Sequence, residues 1–527
     1  MIHTKQDIPS DLEGISKVDI EKWNENFNLP FKWSELIEIE DKAKSILNKH
    51  IKSNKEYYKI ILISYKIFIE HSNFIYALLL SEKSASISKN NTYLYEIKNN
   101  GIPAKPIIDF PKLVDHSIGL KKKYRFLKRI ILDNKFKLLN PFSKKSYLLT
   151  ESRSYHTIEY LKKENKGIIS PFSFFDIYNV KNLQNLSEKE KNEILALSSS
   201  IIHDLQGLST RDYQLVFSKK QIEYLKSATF NVFSKSLITL NAVKKELNNK
   251  KIKLYLGSNN SFISRIISVA IRDNGGEIVG FSHGEPLIYD WDKTSWMELS
   301  LNDAYYEYTK PLADQLKKIH SSKFKFHNKV KIKSFNSDLF KKYYNRIEEG
   351  KNCNSPQKVM LIGNAYKEAR ISSVTAPYGI MQLQIEMEII NKLKEVGSKI
   401  LYKKHPGGYF SKLEMPFSKD KTIKVVDAPF ETSFKEADVL IFYYTRTTTF
   451  GHALASKKKI IVVDTGVEVF PTDVLNTLKK QCFFIKAEID SKNRFSLIEK
   501  DLQDAINDDS KKDVYFEEYL SNKPHNE

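Results

Sequence analysis

Three short segments of this sequence gather residues able to bind an anion or move a proton. The first is Thr445-Arg446-Thr447-Thr448-Thr449, four threonines and an arginine in five positions. It lies between an apolar run at 438–443 and a helix-like stretch at 450–456. A buried strand, a hydroxyl-rich turn and then a helix form a geometry for holding phosphate. The free backbone N–H groups and the helix dipole favour an anion there. Arg446 can pair with a phosphate through two parallel hydrogen bonds. Threonines also cap helices, but four of them with an arginine exceed what one cap uses.

The second segment is Lys403-Lys404-His405-Pro406-Gly407-Gly408, at the end of a strand read over 398–402. An imidazole titrates near about 6.5, so His405 can donate to a leaving-group oxygen or act as a general acid. Pro406 and the glycines fix a sharp exit from the sheet, and Lys404 adds positive charge. The third is Phe281-Ser282-His283-Gly284-Glu285-Pro286. His283 stands as a general base or an orienting group, with Glu285 as the alternative base. Asp290 and Trp291 follow in an aromatic loop with Tyr289 and Trp296, and are the candidate acceptor contacts.

The elements that position these residues are legible from about residue 251 onward. A strand at 251–256, a helix from Ser261 with apolar residues at helical spacing, the stop Gly275-Gly276 and a strand at 277–281 make a βαβ unit. Its crossover is expected to be right-handed, and it delivers His283 to the carboxyl end of a parallel strand. A polar stretch at 348–357 reads as a linker. Beyond it come strands at 358–363, 398–402, 422–426, 438–443 and 459–463, with helices at 381–396, 431–436 and 450–456 between them. Such alternation predicts a parallel sheet with helices on both faces. The first 250 residues read less clearly. Helices are expected at 157–163, 186–205 and 222–248 (one or two), a strand at 146–150, and segments 59–66 and 74–80 do not separate helix from buried strand.

Composition narrows the classes. A chain of 527 residues calls for two large domains, and an apolar fraction of 41% is globular. Two cysteines, Cys353 and Cys482, have no metal-ligand spacing, which points to a reducing compartment without structural zinc. No apolar run approaches the roughly 20 residues of a spanning helix, and residues 1–14 carry no signal-peptide pattern, so a cytoplasmic location is expected. The net charge of +20 arises from 84 Lys+Arg against 64 Asp+Glu and is spread along the chain. That suits a solvated lysine-rich surface or docking on an anionic membrane face. No nucleic-acid partner is expected, since no basic helix, aromatic stacking motif or zinc finger accompanies the charge.

From about 251 to 510 the chain resembles the GT-B glycosyltransferases that build bacterial surface polysaccharides. The nearest groups are the CDP-glycerol glycerophosphotransferases, the capsule and lipopolysaccharide Kdo transferases, and the bacterial sialyl- and polysialyltransferases. The resemblance rests on His283-Gly284, Lys404-His405-Pro406, the strand Asp438-Val439-Leu440-Ile441 with its hydroxyl turn, and the helix beginning Gly451-His452-Ala453-Leu454. It implies an α/β fold of GT-B type, two Rossmann-like domains whose parallel sheets face an interdomain cleft. Residues 1–347 would form the N-terminal acceptor-side domain with helical additions, 358–510 the nucleotide-donor domain, and 511–527 a tail. It further implies metal-independent transfer without a cofactor, from a CMP- or CDP-linked donor to a surface glycan or lipid-linked glycan, at the inner face of the membrane. Thr445, Arg446, Thr447 and Thr448 would hold the donor phosphate with Lys404, His405 would stabilise the departing nucleotide, and His283 would serve near the acceptor. The sequence departs from the pattern where these enzymes carry a ribose-binding glutamate, so ribose recognition would fall to His452. Two other readings share the fold. One is a nucleotide-sugar epimerase, although the His-Arg-Arg-Glu-Asn segment of UDP-N-acetylglucosamine 2-epimerases is not matched. The other is a non-catalytic nucleotide-sugar-binding protein.

Overall fold

The structure, a computed structural model, describes chiefly residues 32–65, 185–249, 252–257, 262–282, 299–323, 330–335, 357–366, 379–407 and 419–521, with shorter stretches between them. Two parallel sheets organise these residues. The first comprises β1 (Ser146–Leu149), β2 (Ile252–Leu256), β3 (Glu277–Phe281), β4 (Ala304–Glu307) and β5 (Lys331–Ser334), lying in the spatial order 1-2-3-4-5. Because this order never reverses, right-handed crossovers lay the intervening helices on one face. On that face Tyr255 and Ile278 pack with α1 (Trp33–Ser53), α2 (Tyr58–Ile63), α3 (Glu188–Tyr213), α4 (Lys219–Asn249) and α5 (Phe262–Asp273).

Local chemistry sets these helix ends. The Ser187 hydroxyl accepts the Glu190 N–H at 3.3 Å while the Glu190 carboxylate takes the Ser187 N–H at 2.8 Å, a reciprocal cap that opens α3. Gln214 closes α3 in the left-handed region at φ 58°, and Gly275 does the same after α5 at φ 70°. Arg265 of α5 is wholly buried; its Nε donates to the Leu62 carbonyl at 2.7 Å, tying α5 to α2.

The second sheet contains β6 (Lys358–Ile362), β7 (Lys399–Lys403), β8 (Ile423–Val426), β9 (Val439–Phe442), β10 (Lys459–Asp464) and β11 (Phe483–Lys486). Their spatial order is β8-β7-β6-β9-β10-β11, parallel at every pairing. One face carries α7 (Gly379–Glu395) and α11 (Glu499–Asn507); the other carries α8 (Phe430–Ser433), α9 (Thr448–Leu454) and α10 (Thr472–Gln481). The chain is therefore built on two Rossmann-like parallel sheets, and the second is doubly wound.

The apolar core on the α8–α10 face also takes in Tyr305, Leu312 and Phe340 from the first half, together with Tyr515, Phe516 and Leu520. Residues Phe516–Leu520 form a single π-helical turn against α6 (Lys310–Lys323), where Thr309 donates its hydroxyl to the Tyr519 carbonyl at 2.5 Å. Asp473 of α10 meets Gln315 at 3.3 Å and Lys318 at 3.1 Å.

The strands expected at 146–150, 251–256, 277–281 and across 358–463 are present. So are the helices at 186–205, which extends to Tyr213, and at 222–248, which is one continuous α4. The expectation did not include α1, β4, β5, β11, α6, α10 or α11. The helix expected at 157–163 and nearly all of the 348–357 linker lie outside the described residues. None of the described helices is long and apolar enough to cross a membrane.

Candidate functional site

Strand order reverses between β6 and β9, so chain connections leave in opposite directions from these two neighbours. A crevice forms outside their carboxyl ends, and ligands of open α/β sheets bind at such a point. The chain leaves β6 through Gly363-Asn364-Ala365-Tyr366 and leaves β9 through Tyr443-Tyr444-Thr445-Arg446-Thr447. The strand beside β6, β7, runs into Lys404-His405. Two of the three sequence motifs thus reach one end of one sheet, on the strands β7 and β9 that flank β6. Gly363 is required by the packing here: a Cβ would stand 2.2 Å from the Tyr402 phenol oxygen and 3.1 Å from the Lys403 carbonyl.

Within the hydroxyl turn each threonine has a separate task. Thr445 is fully buried, and the Glu468 carboxylate accepts its N–H at 3.0 Å and its hydroxyl at 2.7 Å. Arg446 is buried beside the same carboxylate. Burial pushes Glu468 up to about 7, against the opposing pull of Arg446 and of the Thr445 hydrogen bonds. Thr447 is the N-cap of α9; its hydroxyl accepts the Phe450 N–H at 3.2 Å. Thr448 is exposed and Thr449 half-buried.

His405 is held by its own loop. Nδ1 stands 3.0 Å from the Gly407 N–H, which can donate to it, and 3.1 Å from the Gly407 carbonyl, which can accept from it, so Gly407 holds the ring in either tautomer. Lys404 is half-buried, while Lys403 is buried and donates its amine to the Lys404 carbonyl at 2.6 Å. Burial pushes the Lys403 amine below its ordinary value, with Asp427 and Glu431 acting in the other direction.

His452 lies on α9 and is buried at 7% exposure. Its ring centroid is 5.6 Å from that of Phe340, and its Nε2 is 3.8 Å from Glu431. Burial pushes its pKa down, partly offset by Glu431. The structure thus sets His452 against Phe340 and Glu431, on the face of the sheet that meets the first half. His283, Glu285, Asp290 and Trp291 lie outside the described residues.

The most heavily connected polar group at this end was missed from the sequence. Glu386, on α7, is fully buried; Oε2 accepts the phenols of Tyr366 at 2.6 Å and Tyr402 at 2.9 Å, and Oε1 accepts that of Tyr443 at 2.5 Å. Those tyrosines come from the loop after β6, from β7 and from the end of β9. The Tyr443 oxygen in turn accepts the Asn364 N–H at 3.3 Å. Burial raises Glu386 to about 7 although all three phenols favour its ionised form. The available signal was its spacing: Glu386 falls on the same helical stripe as Leu383 and Ile390, the face expected to be buried.

No family model matches this sequence, and neither does any curated protein. Among solved structures the chain is similar to a Methanocaldococcus jannaschii UDP-GlcNAc 2-epimerase in complex with UDP-GlcNAc and UDP: identity 11%, 54% of this chain, 77% of that one, TM-score 0.33. It is also similar to the S. aureus MnaA–UDP complex: identity 12%, 62% of this chain, 92% of that one, TM-score 0.34. A further UDP-N-acetylglucosamine 2-epimerase matches with identity 9%, coverages of 62% and 87%, and a TM-score of 0.31. Likeness at this level carries no argument about activity, and the two-sheet fold stands on its own strand order. The glycosyltransferase expectation is corrected here: two of the three structures named above are 2-epimerases, and none is named as a surface-polysaccharide transferase.

Proposed function

We propose that the chain binds a nucleoside-diphosphate sugar at the carboxyl ends of β6 and β9 and inverts one of its carbon centres, as an epimerase. The observation that carries this reading is the reversal of strand order between β6 and β9, with Lys404-His405 and the Thr445–Thr447 turn at the same end. Cationic and N–H donors collected at a switch point suit a diphosphate. Epimerisation also needs a group that takes a proton at neutral pH and one that returns it. Such groups work best when their pKa lies near the operating pH. His405, an imidazole held beside the crevice by Gly407, is the candidate for this proton handling. Since the chain carries no His-Arg-Arg-Glu-Asn segment, its proton-handling residues would be its own.

The test is incubation of the purified chain with UDP-N-acetylglucosamine and other UDP-sugars in D2O, followed by NMR. The expected result is replacement of one carbon-bound hydrogen by deuterium together with the appearance of a second stereoisomer. His405→Ala is expected to abolish the exchange. Binding without any exchange would make the protein a non-catalytic nucleotide-sugar binder, and no binding at all would sink the crevice assignment.

A further inference from the structure

We infer that Glu386 is a positioning residue that sets the geometry of the β6–β9 crevice, drawing three strand ends together through Tyr366, Tyr402 and Tyr443. The inference rests on the crevice reading above and names what shapes that site. Glu386 reaches the sheet from α7, and each phenol it receives belongs to a different backbone segment at the crevice. Tyr366 ends the loop that begins at Gly363, and Tyr443 leads directly into Thr445. Tyr402 closes from β7 and fills the space that a side chain at 363 would take. Through the Tyr443 oxygen the carboxylate also fixes the direction of the Asn364 N–H. The bracket thus directs the 363–366 segment and Tyr443, while the Thr445 end of the hydroxyl turn is braced separately by Glu468.

The bracket depends on charge. An ionised carboxylate only accepts hydrogen bonds, and so it can receive all three phenols at once. Once protonated it must donate one bond itself, and one of the phenols has to turn so that its oxygen accepts. The polar groups set against Glu386 are Tyr366, Tyr402, Tyr443 and the Asn364 amide. Burial brings Glu386 to about 7, so the rearrangement falls within the neutral range. The closed crevice belongs to the alkaline side of that range.

The experiment compares the full chain with Glu386→Gln and Tyr443→Phe by amide hydrogen exchange without ligand and by UDP titration calorimetry between about pH 6 and 8. Glu386→Gln is expected to speed exchange at 363–366 and 443–446 by about tenfold while β10 and α11 keep wild-type protection. Tyr443→Phe, a milder change should the first variant fold poorly, is expected to speed exchange at 364–366. In the wild type, UDP affinity falls as pH drops below 7; in Glu386→Gln it is weaker and flat with pH. Two outcomes would overturn the inference: wild-type exchange at both segments, or acceleration spread evenly over the whole sheet. A wild-type chain that binds no UDP refutes the nucleotide reading alone, and the exchange pattern still decides the role of Glu386.

Discussion

Thr445 turns both its amide and its hydroxyl onto Glu468, at 3.0 and 2.7 Å, so the hydroxyl turn after β9 is braced from the loop after β10. A turn that the sequence offers as a phosphate cradle is thus anchored at its root by an internal carboxylate. Its more exposed positions, Thr448 above all, remain at the surface.

Removing one partner from this brace should be costly. Glu468→Ala removes the acceptor of both Thr445 bonds and the carboxylate beside Arg446, and should cost about 2–3 kcal/mol, the penalty of leaving buried donors unsatisfied. Thr445→Val removes only the hydroxyl donor and should cost about 1–2 kcal/mol. Urea denaturation of both variants checks the order. Equal midpoints for Glu468→Ala and wild type would show that the carboxylate does not hold the turn.

Thr447 and Thr448 are adjacent but should behave differently. Thr447→Ala deletes the cap of α9 and is expected to cost about 1 kcal/mol, whereas Thr448→Ala should change stability by only a few tenths. If Thr448→Ala weakens UDP binding at unchanged melting temperature, that hydroxyl is a ligand contact.

Gly363→Ala tests the closeness of β6 to β7. The new methyl group would meet the Tyr402 phenol oxygen at 2.2 Å. The ring, held by Glu386, has to move, and overpacking of this kind costs about 1–3 kcal/mol. The double variant with Tyr402→Phe should recover part of that loss. A single variant as stable as wild type would mean that the ring is not fixed.

The pH dependence of stability follows from three groups, Glu386 and His71 buried and Glu468 half-buried. Glu386 and Glu468 are both raised to about 7 from an ordinary value of 4.5. The folded chain keeps these protons where the unfolded chain has lost them. Their contribution is therefore full below about 4.5 and is lost as pH rises to 7, by up to roughly 3 kcal/mol each. His71, buried against Thr229, is pushed down to about 4, so its contribution is present above about 6.5 and lost on acidification. These windows overlap and oppose each other, and the two carboxyls outweigh the one imidazole, so melting temperature should fall as pH rises from about 4.5 to 7. Glu386→Gln and Glu468→Gln should each flatten the decline between about pH 5 and 7, and an unchanged slope in both would remove these carboxyls from the account.

The second sheet was largely legible because its central strands are short, mostly buried apolar runs separated by glycine, proline and hydroxyl turns. Its burial patterns at 358–362, 399–403 and 439–442 match those runs directly. Strands β4 and β5 were not read. Ala304–Glu307 buries a glutamate and two tyrosines, and Lys331–Ser334 alternates lysine with apolar positions too briefly to stand out. The positions of Lys404, His405 and the hydroxyl turn at one sheet end followed from strand-end placement. The work done by Glu386 and Glu468 did not. A glutamate in a helix or loop defaults to solvent, and only long-range packing of tyrosines or of an arginine turns it inward. The transferase reading rested on motif order, a feature that phosphate-handling enzymes of different reaction types share.

Residues 516–520 return from the second sheet to α6, where Thr309 holds the Tyr519 carbonyl. Asp473 of α10 reaches Gln315 and Lys318 of α6, and Leu312 and Phe340 share a core with the second sheet. The returning turn is therefore one of several fastenings between the halves among the described residues, and removing it should loosen α6 while both sheets keep their strand order.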